Sequence, residues 1–442
     1  MDKYKKDLKE AGFKGEILDD LATLDLYSHD ASMFELRPKL VVKPIDASDV
    51  EYLTKLTLKY KKEIPNLSLT ARSAGTCMSG GAINDSIIVD FVAHLNKIGE
   101  VSPRHAHTQP GVYYRDFEKE TLKHLALMPT YPASRDLASV GGMVNNNSGG
   151  EKSLEFGKTE DFVESLKFVF ADGVERTVKP LKADQLKAKM DQKDFEGKVY
   201  RQIYKLIEAN YESIKKAKPN VTKNSTGYNL WDVWDRDSGV FDLTKLIVGA
   251  QGTLGLVTDI KFKLVPVRPH SGLLVLFMKD IDDLGEVINK VLEKKPATFE
   301  SFDDQTLWLS IRFMPSFLKL LGPKRFIKLI LTLIPDAFQL LKGMPKLVLM
   351  VEFNGETEEE VRQKIHDLHS DLNKYRARYE INGFEETPTA AKSEKFWIMR
   401  RYSFQLLRSK VKDKHTAPFI DDLVVPPQYL PMFLPRLRKI IK

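Results

Sequence analysis

Apolar residues in the first ninety positions switch between two periods. Leu40-Val41-Val42-Lys43-Pro44 reads as a short strand ended by proline, and residues 67–71 alternate like another. Between them Val50, Leu53, Leu56 and Tyr60 recur at helical spacing. Ser48 and Glu51 have the spacing of a capping box, so the pattern predicts Ser48 as N-cap. Residues 87–91 form a third strand, and a loop carrying Gly75, Gly80 and Gly81 precedes it. The order strand, helix, strand, glycine loop, strand predicts an α+β layered domain.

Further along, a helix is expected over 116–124, followed by a loop from Pro132 and a glycine- and asparagine-rich run over 140–150. Residues 165–170 read as a strand, and Ala171-Asp172-Gly173-Val174 as its hairpin turn. A third glycine loop, 248–258, leads into a strand over 259–265 that Pro266 and Pro269 stop. From His270 the texture changes. A strand (273–278), an amphipathic helix (282–294), a second strand (347–353) and a long charged helix (356–379) predict a second core. The expected organisation is an N-terminal helical segment over 1–33, one domain over 34–269 and another over 270–442.

At 442 residues, two domains is also what length alone predicts. With 42% hydrophobic and 29% charged residues, the composition is that of a soluble globular protein. No apolar run reaches the ~18–20 residues needed to span a bilayer. Residues 1–20 mix lysines with acids and lack an apolar core, so neither a signal nor a transit peptide is expected. The single cysteine, Cys77, excludes an internal disulfide and any four-thiolate zinc or iron–sulfur site within the chain. A reducing, cytoplasmic setting follows as the expectation. The net charge of +7 favours anionic partners: a carboxylate substrate, a phosphorylated cofactor or an anionic membrane face. The basic residues are spread among 61 acidic ones and no zinc-finger, RNP or basic-zipper pattern occurs, so no nucleic-acid partner is expected.

Clustered glycines permit positive φ and let successive N–H groups approach an anion, which suits a pyrophosphate. Two standard motifs fail. Gly75 and Gly80 have P-loop spacing, but Gly81 stands where the phosphate-binding lysine is required. Gly249, Gly252 and Gly255 have the wrong spacing for a Rossmann fingerprint and run into a strand rather than a helix.

In order along the chain stand Tyr27-Ser28-His29-Asp30-Ala31-Ser32, Arg72-Ser73-Ala74-Gly75-Thr76, Gln109-Pro110-Gly111-Val112, the 140–150 loop, Phe156-Gly157-Lys158-Thr159 and Gly249-Ala250-Gln251-Gly252-Thr253-Leu254-Gly255. Together they resemble the PCMH-type FAD-binding domain of the vanillyl-alcohol oxidase superfamily, nearest to glycolate oxidase FAD subunits and D-lactate dehydrogenases. The resemblance implies a two-part FAD domain followed by an α+β substrate (cap) domain. It implies that Arg72, Ser73, Ala74, Gly75, Thr76, Gly80 and Gly81 wrap the pyrophosphate. Pro132, Ala133, Ser139, Gly142, Asn145, Asn146 and Ser148 would line the isoalloxazine and ribityl side, and Gly157 belongs to the same set. Gly252, Gly255 and Val257 would pack near the adenine or flavin edge. Relatives that bind FAD covalently carry a histidine where Thr76 stands here, so non-covalent FAD is implied. Gln251 occupies a position where the family commonly has glutamate.

Oxidation of a 2-hydroxy acid needs a cation for the carboxylate, a base for the hydroxyl proton and a hydride acceptor. Trp397-Ile398-Met399-Arg400 resembles the family's W-x-x-R segment, which makes Arg400 the expected carboxylate clamp. Residues 418–426 resemble the strand that follows it. The family's histidine-bearing base and metal segment is not found in the sequence, so no metal site is expected. A final turn without cap or glycine stop favours a C-terminally shortened member. His366 and His369 are expected to be solvated; His105 and His107 are expected at a strand edge without carboxylate partners, and His415 is the nearest candidate base. The basic apolar stretch 314–346 is expected either to touch an anionic membrane face or to cap the second domain. The expected function is FAD-dependent oxidation of a D-2-hydroxy acid of the lactate or glycolate type. Electrons would pass to a quinone or to an iron–sulfur protein on another subunit. The rivals are an FAD-holding module without turnover of its own and an NADPH-dependent reductase of the same FAD fold.

Overall fold

The computed structural model describes residues 1–221, 223–312, 343–410 and 423–441. His415, residues 314–342 of the basic apolar stretch and residues 418–422 of the expected late strand lie outside the described residues. The chain forms two compact units. The first holds Met1–Gly150 and Gly157–Val267; the second holds Glu151–Phe156 and, from Arg268 onward, the rest of the described chain.

In the first unit, β1 (Glu16–Leu18), β2 (Leu40–Lys43), β3 (Leu69–Arg72) and β4 (Ile87–Asp90) make a sheet in the order β1-β2-β4-β3. β2 and β3 both run parallel to β4. Such an arrangement needs a crossover, which α2 (Ala47–Tyr60) supplies between β2 and β3. Leu40, Val42, Ile87 and Val89 pack with Val50 and Leu53 of α2, while Val41 and Ile88 pack with Leu24. Both faces are covered, which is why β2 and β4 read as unbroken apolar runs.

Residues 1–33 are part of this unit rather than a separate segment. β1 pairs with β2, and Tyr4 and Leu8 of α1 (Asp2–Glu10) enter the same core. Tyr4 Oη lies 2.8 Å from Thr57 Oγ1, and Tyr60 Oη donates to Asp7 at 2.7 Å, so α1 and α2 are tied by their buried hydroxyls. The N-cap of α2 is Asp46, not Ser48. Its Oδ1 accepts from the Asp49 N–H at 3.1 Å and from the Ser48 hydroxyl at 2.5 Å. A carboxylate is the stronger acceptor, so the hydroxyl serves it instead of capping. Glu51, freed from the expected box, accepts the Glu175 N–H at 2.6 Å.

A second, antiparallel sheet of the same unit has the order β5-β6-β9-β7-β8. Its strands are β5 (Ile98–Val101), β6 (His105–Thr108), β7 (Val163–Val169), β8 (Glu175–Val178) and β9 (Leu256–Lys263). Gly173, at φ +73°, makes the expected turn between β7 and β8. The reading of His105 and His107 as edge residues without carboxylate partners is corrected here. β6 is an interior strand; His105 Nδ1 lies 2.7 Å from Glu164 of β7, and His107 Nδ1 lies 3.4 Å from Asp259 of the adjoining β9.

The second unit is a four-stranded antiparallel sheet with helices on both faces. β10 (His270–Met278), β11 (Thr298–Asp303), β12 (Leu347–Gly355) and β13 (Ile381–Thr387) stand in the order β11-β12-β10-β13. Leu274, Leu276 and Met278 face a core with α5 (Leu284–Glu293) and α7 (Glu358–Asn373). Leu273, Val275 and Phe277 face one with α6 (Asp304–Arg312) and α8 (Ala390–Lys410). His366 and His369 on α7 are not simply solvated. Glu386 of β13 lies 2.5 Å from His369 Nδ1 and 3.8 Å from His366 Nδ1, and the His369 ring stacks on Phe384. Both units have the expected α+β architecture.

Candidate functional site

Three loops of the first unit converge on one cleft of about 830 Å³, counted with the solvent it opens to. The first loop leaves β3 and returns into β4. Gly75 and Gly80 hold φ of +66° and +80°, a region that costs a side chain about 1 kcal/mol or more. Ser73, Ala74, Gly75, Thr76, Cys77 and Gly81 line the cleft. Arg72 does not. Its guanidinium donates to the carbonyls of His29 at 2.7 Å and Ala82 at 3.1 Å, and lies over the Tyr27 ring. It thus braces the loop from behind, with Nη2 2.8 Å from where a Cβ on Gly75 would stand.

After α3 (Tyr114–Leu122), the second loop runs from Pro132 through α4 (Val140–Asn145) to Gly150. Pro132, Ser139, Gly142, Asn145, Asn146 and Ser148 line the cleft, while Ala133 does not. A Cβ on Gly141 would meet the Pro110 carbonyl at 2.7 Å, so this glycine lets α4 lie against the Gln109-Pro110-Gly111 segment. Gly142 sits 3.4 Å (from its Cβ position) from Ser73, which joins the first two loops.

The third loop is tied to α4 by two backbone bonds, Gly249 N to Val144 O at 2.9 Å and Gln251 N to Asn145 O at 2.8 Å. Gln251 and Gly252 line the cleft in left-handed conformations, φ +53° and +75°. Gly255 and Val257 have another role. A Cβ on Gly255 would lie 2.5 Å from both the Phe168 ring and the Val169 carbonyl, and Val257 pairs with Phe168 inside the sheet. Gly80 faces Phe34, and Gly157 lines a neighbouring cleft of the same unit.

Among the described residues the lining holds no charged side chain. A pyrophosphate there would be met by backbone N–H groups, amides and hydroxyls, without like-charge repulsion. Ser139 Oγ is buried and has no hydrogen-bond partner among the described residues. An orphaned hydroxyl costs about 1–3 kcal/mol, which a polar ligand atom would recover. The donor set and this orphan fit FAD. Ser134, Ala138, Met143, Cys77 and Gln251 line the cleft as well, beyond the residues singled out from sequence. Their signal was position inside the same motifs. Cys77 accepts the Gly81 N–H on sulfur at 3.3 Å, so it closes the first loop.

In the second unit Arg400 is paired with Glu300, its Nη2 3.1 Å and Nε 3.3 Å from the same carboxylate oxygen. Five residues earlier the buried Lys395 pairs with Glu385 at 2.6 Å. Glu300 and Glu385 lie on outer strands of the sheet, so α8 is held to it at both edges by ion pairs. Among the described residues no cluster of three metal-ligating side chains occurs, and no helix is long and apolar enough to cross a membrane.

Residues 38–179 match the FAD binding domain family, and residues 268–442 match the C-terminal domain of FAD linked oxidases. Over 98% of its length the chain is 27% identical to a D-2-hydroxyglutarate dehydrogenase of Pseudomonas putida. It is 25% identical over 99% of its length to the protein of that name in Escherichia coli. In each case it spans 42% of the relative's own length, well under half. Residues amounting to 64% of the chain are 26% identical to the glycolate oxidase subunit GlcD of Bacillus subtilis and span 49% of it. In fold it is similar to an alkyldihydroxyacetonephosphate synthase, with a TM-score of 0.63, 16% identity, and 92% of this chain matched to 64% of the other. The three-loop cleft and the two family matches lead to one assignment: the chain belongs to the FAD-linked oxidoreductases with a PCMH-type FAD-binding domain, and its cofactor is FAD.

Proposed function

We propose that this chain holds FAD non-covalently in the three-loop cleft and oxidises a D-2-hydroxy acid of the lactate or glycolate type. The observation that carries the cofactor half is the neutral, donor-rich lining with an unpartnered Ser139 hydroxyl. Thr76 lies in that lining, at the position where relatives that bind FAD covalently carry a histidine. Bound FAD supplies the hydride acceptor. The residues Ser73 to Thr76 and Gly81 are assigned to the pyrophosphate, and Ser139, Asn145, Asn146 and Ser148 to the flavin side. Arg72, Gly80, Gly255 and Val257 support these loops from outside, as their contacts indicate.

Arg400 is the proposed carboxylate clamp, with Glu300 fixing its guanidinium plane. The names of the relatives place a dicarboxylic acid, D-2-hydroxyglutarate, beside glycolate among the acids to be tried. Electrons leave to a quinone or to a protein acceptor on another subunit; GlcD is itself named as a subunit. The test is anaerobic mixing of the FAD-loaded chain with D-lactate, glycolate and D-2-hydroxyglutarate in turn. Bleaching of the flavin band by one of them supports the proposal. Full occupancy without bleaching by any of them would leave an FAD-holding module, and rapid bleaching by NADPH alone would point to a reductase.

A further inference from the structure

Lys158 is buried, yet it lies at an open cleft of about 840 Å³ that is separate from the three-loop cleft. Its ammonium donates to the Asn224 carbonyl at 2.7 Å and to the Ser225 hydroxyl. Both acceptors are neutral. An ammonium carries three donors, so among the described residues these two leave one unused. A buried cation is ordinarily neutralised by a paired carboxylate, and leaving it unmatched is costly.

The acids near Lys158 are engaged elsewhere. Glu160 accepts from the Asn229 amide at 2.9 Å, and Asp232 takes Lys218 at 2.8 Å. Asp161 lies 3.7 Å from Lys245 and accepts the backbone N–H of Lys158. Glu160 and Asp161 act on the ammonium only through space, as does the positive Lys223. With three acids in the walls against two lysines, a doubly charged ligand would be repelled more strongly than a monoanion held on the Lys158 ammonium. Pro219, Val221, Trp231 and Val248 supply apolar wall beside these polar groups.

We propose that this cleft binds a small monocarboxylate with an apolar body, its carboxylate accepting the remaining Lys158 N–H and its body lying along Trp231 and Val248. The site is distinct from the FAD cleft and stands whether or not the chain oxidises hydroxy acids. It does share backbone with the cofactor loops. Asn147 and Gly249 border this cleft, while their neighbours Asn146, Ser148 and Gln251 border the other. Occupancy is therefore expected to be felt by the flavin.

The experiment uses the full FAD-loaded chain with benzoate as probe and inorganic phosphate as comparison. Lys158 is labelled with acetic anhydride and read by peptide mass spectrometry, while tryptophan fluorescence is followed in parallel. Benzoate should protect Lys158 saturably by about 5-fold or more, with half-saturation at or below about 1 mM. Phosphate should protect much less. The K158M variant should lose the fluorescence response while keeping FAD. If that variant does not fold, the wild-type protection experiment still decides. Absence of saturable protection by about 10 mM benzoate would overturn the proposal. So would displacement of FAD by benzoate, which would make the cleft part of the cofactor site.

Discussion

Substituting Gly255 by alanine separates a glycine that builds the cleft from one that faces it. Gly255 sits at φ +153°, a conformation that L-residues rarely adopt, with a cost of about 1–3 kcal/mol. The added Cβ would stand 2.5 Å from the Phe168 ring and 2.5 Å from the Val169 carbonyl, both within the sheet. Neither can yield without opening β7 from β9, so overpacking adds about 1–3 kcal/mol more. The sum, about 2–6 kcal/mol, is a large share of the ~5–15 kcal/mol that holds a typical domain. At about 2–4 °C per kcal/mol, the apparent Tm of the FAD-free chain should fall by about 10 °C. Gly252→Ala is the matched control. Its φ of +75° costs about 1 kcal/mol, but the new Cβ would find only Ala71 at 3.6 Å, an ordinary contact. Because Gly252 lines the cleft, this variant should keep its stability within a few degrees and lose about 10-fold or more in FAD affinity. Thermal unfolding of the FAD-free chains and fluorescence titration with FAD measure the two effects. The reasoning is refuted if Gly255→Ala unfolds with the wild type, or if both variants lose affinity and stability in equal measure.

Burial holds the Lys158 ammonium down to about 8, against 10.5 for a free lysine, with Glu160 opposing the shift. The folded state thus binds less proton than the unfolded one between these values. The cost of burying the charge is full below pH 8 and is relieved as pH rises toward 10.5, a change of about 3 kcal/mol. Urea midpoints of wild type minus Lys158→Met should therefore rise over that window, and a flat difference would contradict the burial argument. Asp49 is fully buried and accepts the N–H groups of Lys14 at 2.8 Å and Ile45 at 2.9 Å. Asp49→Asn turns one acceptor into a donor facing a donor and should cost about 2 kcal/mol by urea unfolding; a neutral outcome would mean the carboxylate is dispensable. Arg400→Met should raise the hydroxy-acid concentration needed for flavin bleaching about 100-fold while FAD occupancy is kept, and unchanged concentration dependence would remove Arg400 from the site.

The central strands could be read from sequence because both faces of β2, β4 and β10 are covered, so burial wrote itself as apolar runs. The first and third glycine loops were equally readable, since Gly75, Gly80, Gly249 and Gly252 need positive φ wherever the rest of the chain lies. What could not be read was which side of a loop each residue takes. Arg72 looks like a phosphate ligand by its place in the motif, but the His29 and Ala82 carbonyls claim it. Gly255 and Val257 belong to the third motif, yet their partner is Phe168 on another strand. The cap of α2 was misplaced by two residues because a capping-box pattern at Ser48 concealed the stronger acceptor at Asp46. The His369–Glu386 pair and the uncompensated Lys158 depend on long-range placement alone, and no local pattern signals either.

The most direct test of the account is the stoichiometry and chemistry of the flavin itself. The FAD-free chain, titrated with FAD and with FMN, should take up one FAD per chain and bind FMN far more weakly, because FMN lacks the second phosphate and the adenosine that the cleft is proposed to hold. Acid precipitation should then release all of the yellow colour into the supernatant. Equal affinity for FMN, or colour retained in the pellet, would contradict a non-covalent FAD cradle built from these three loops.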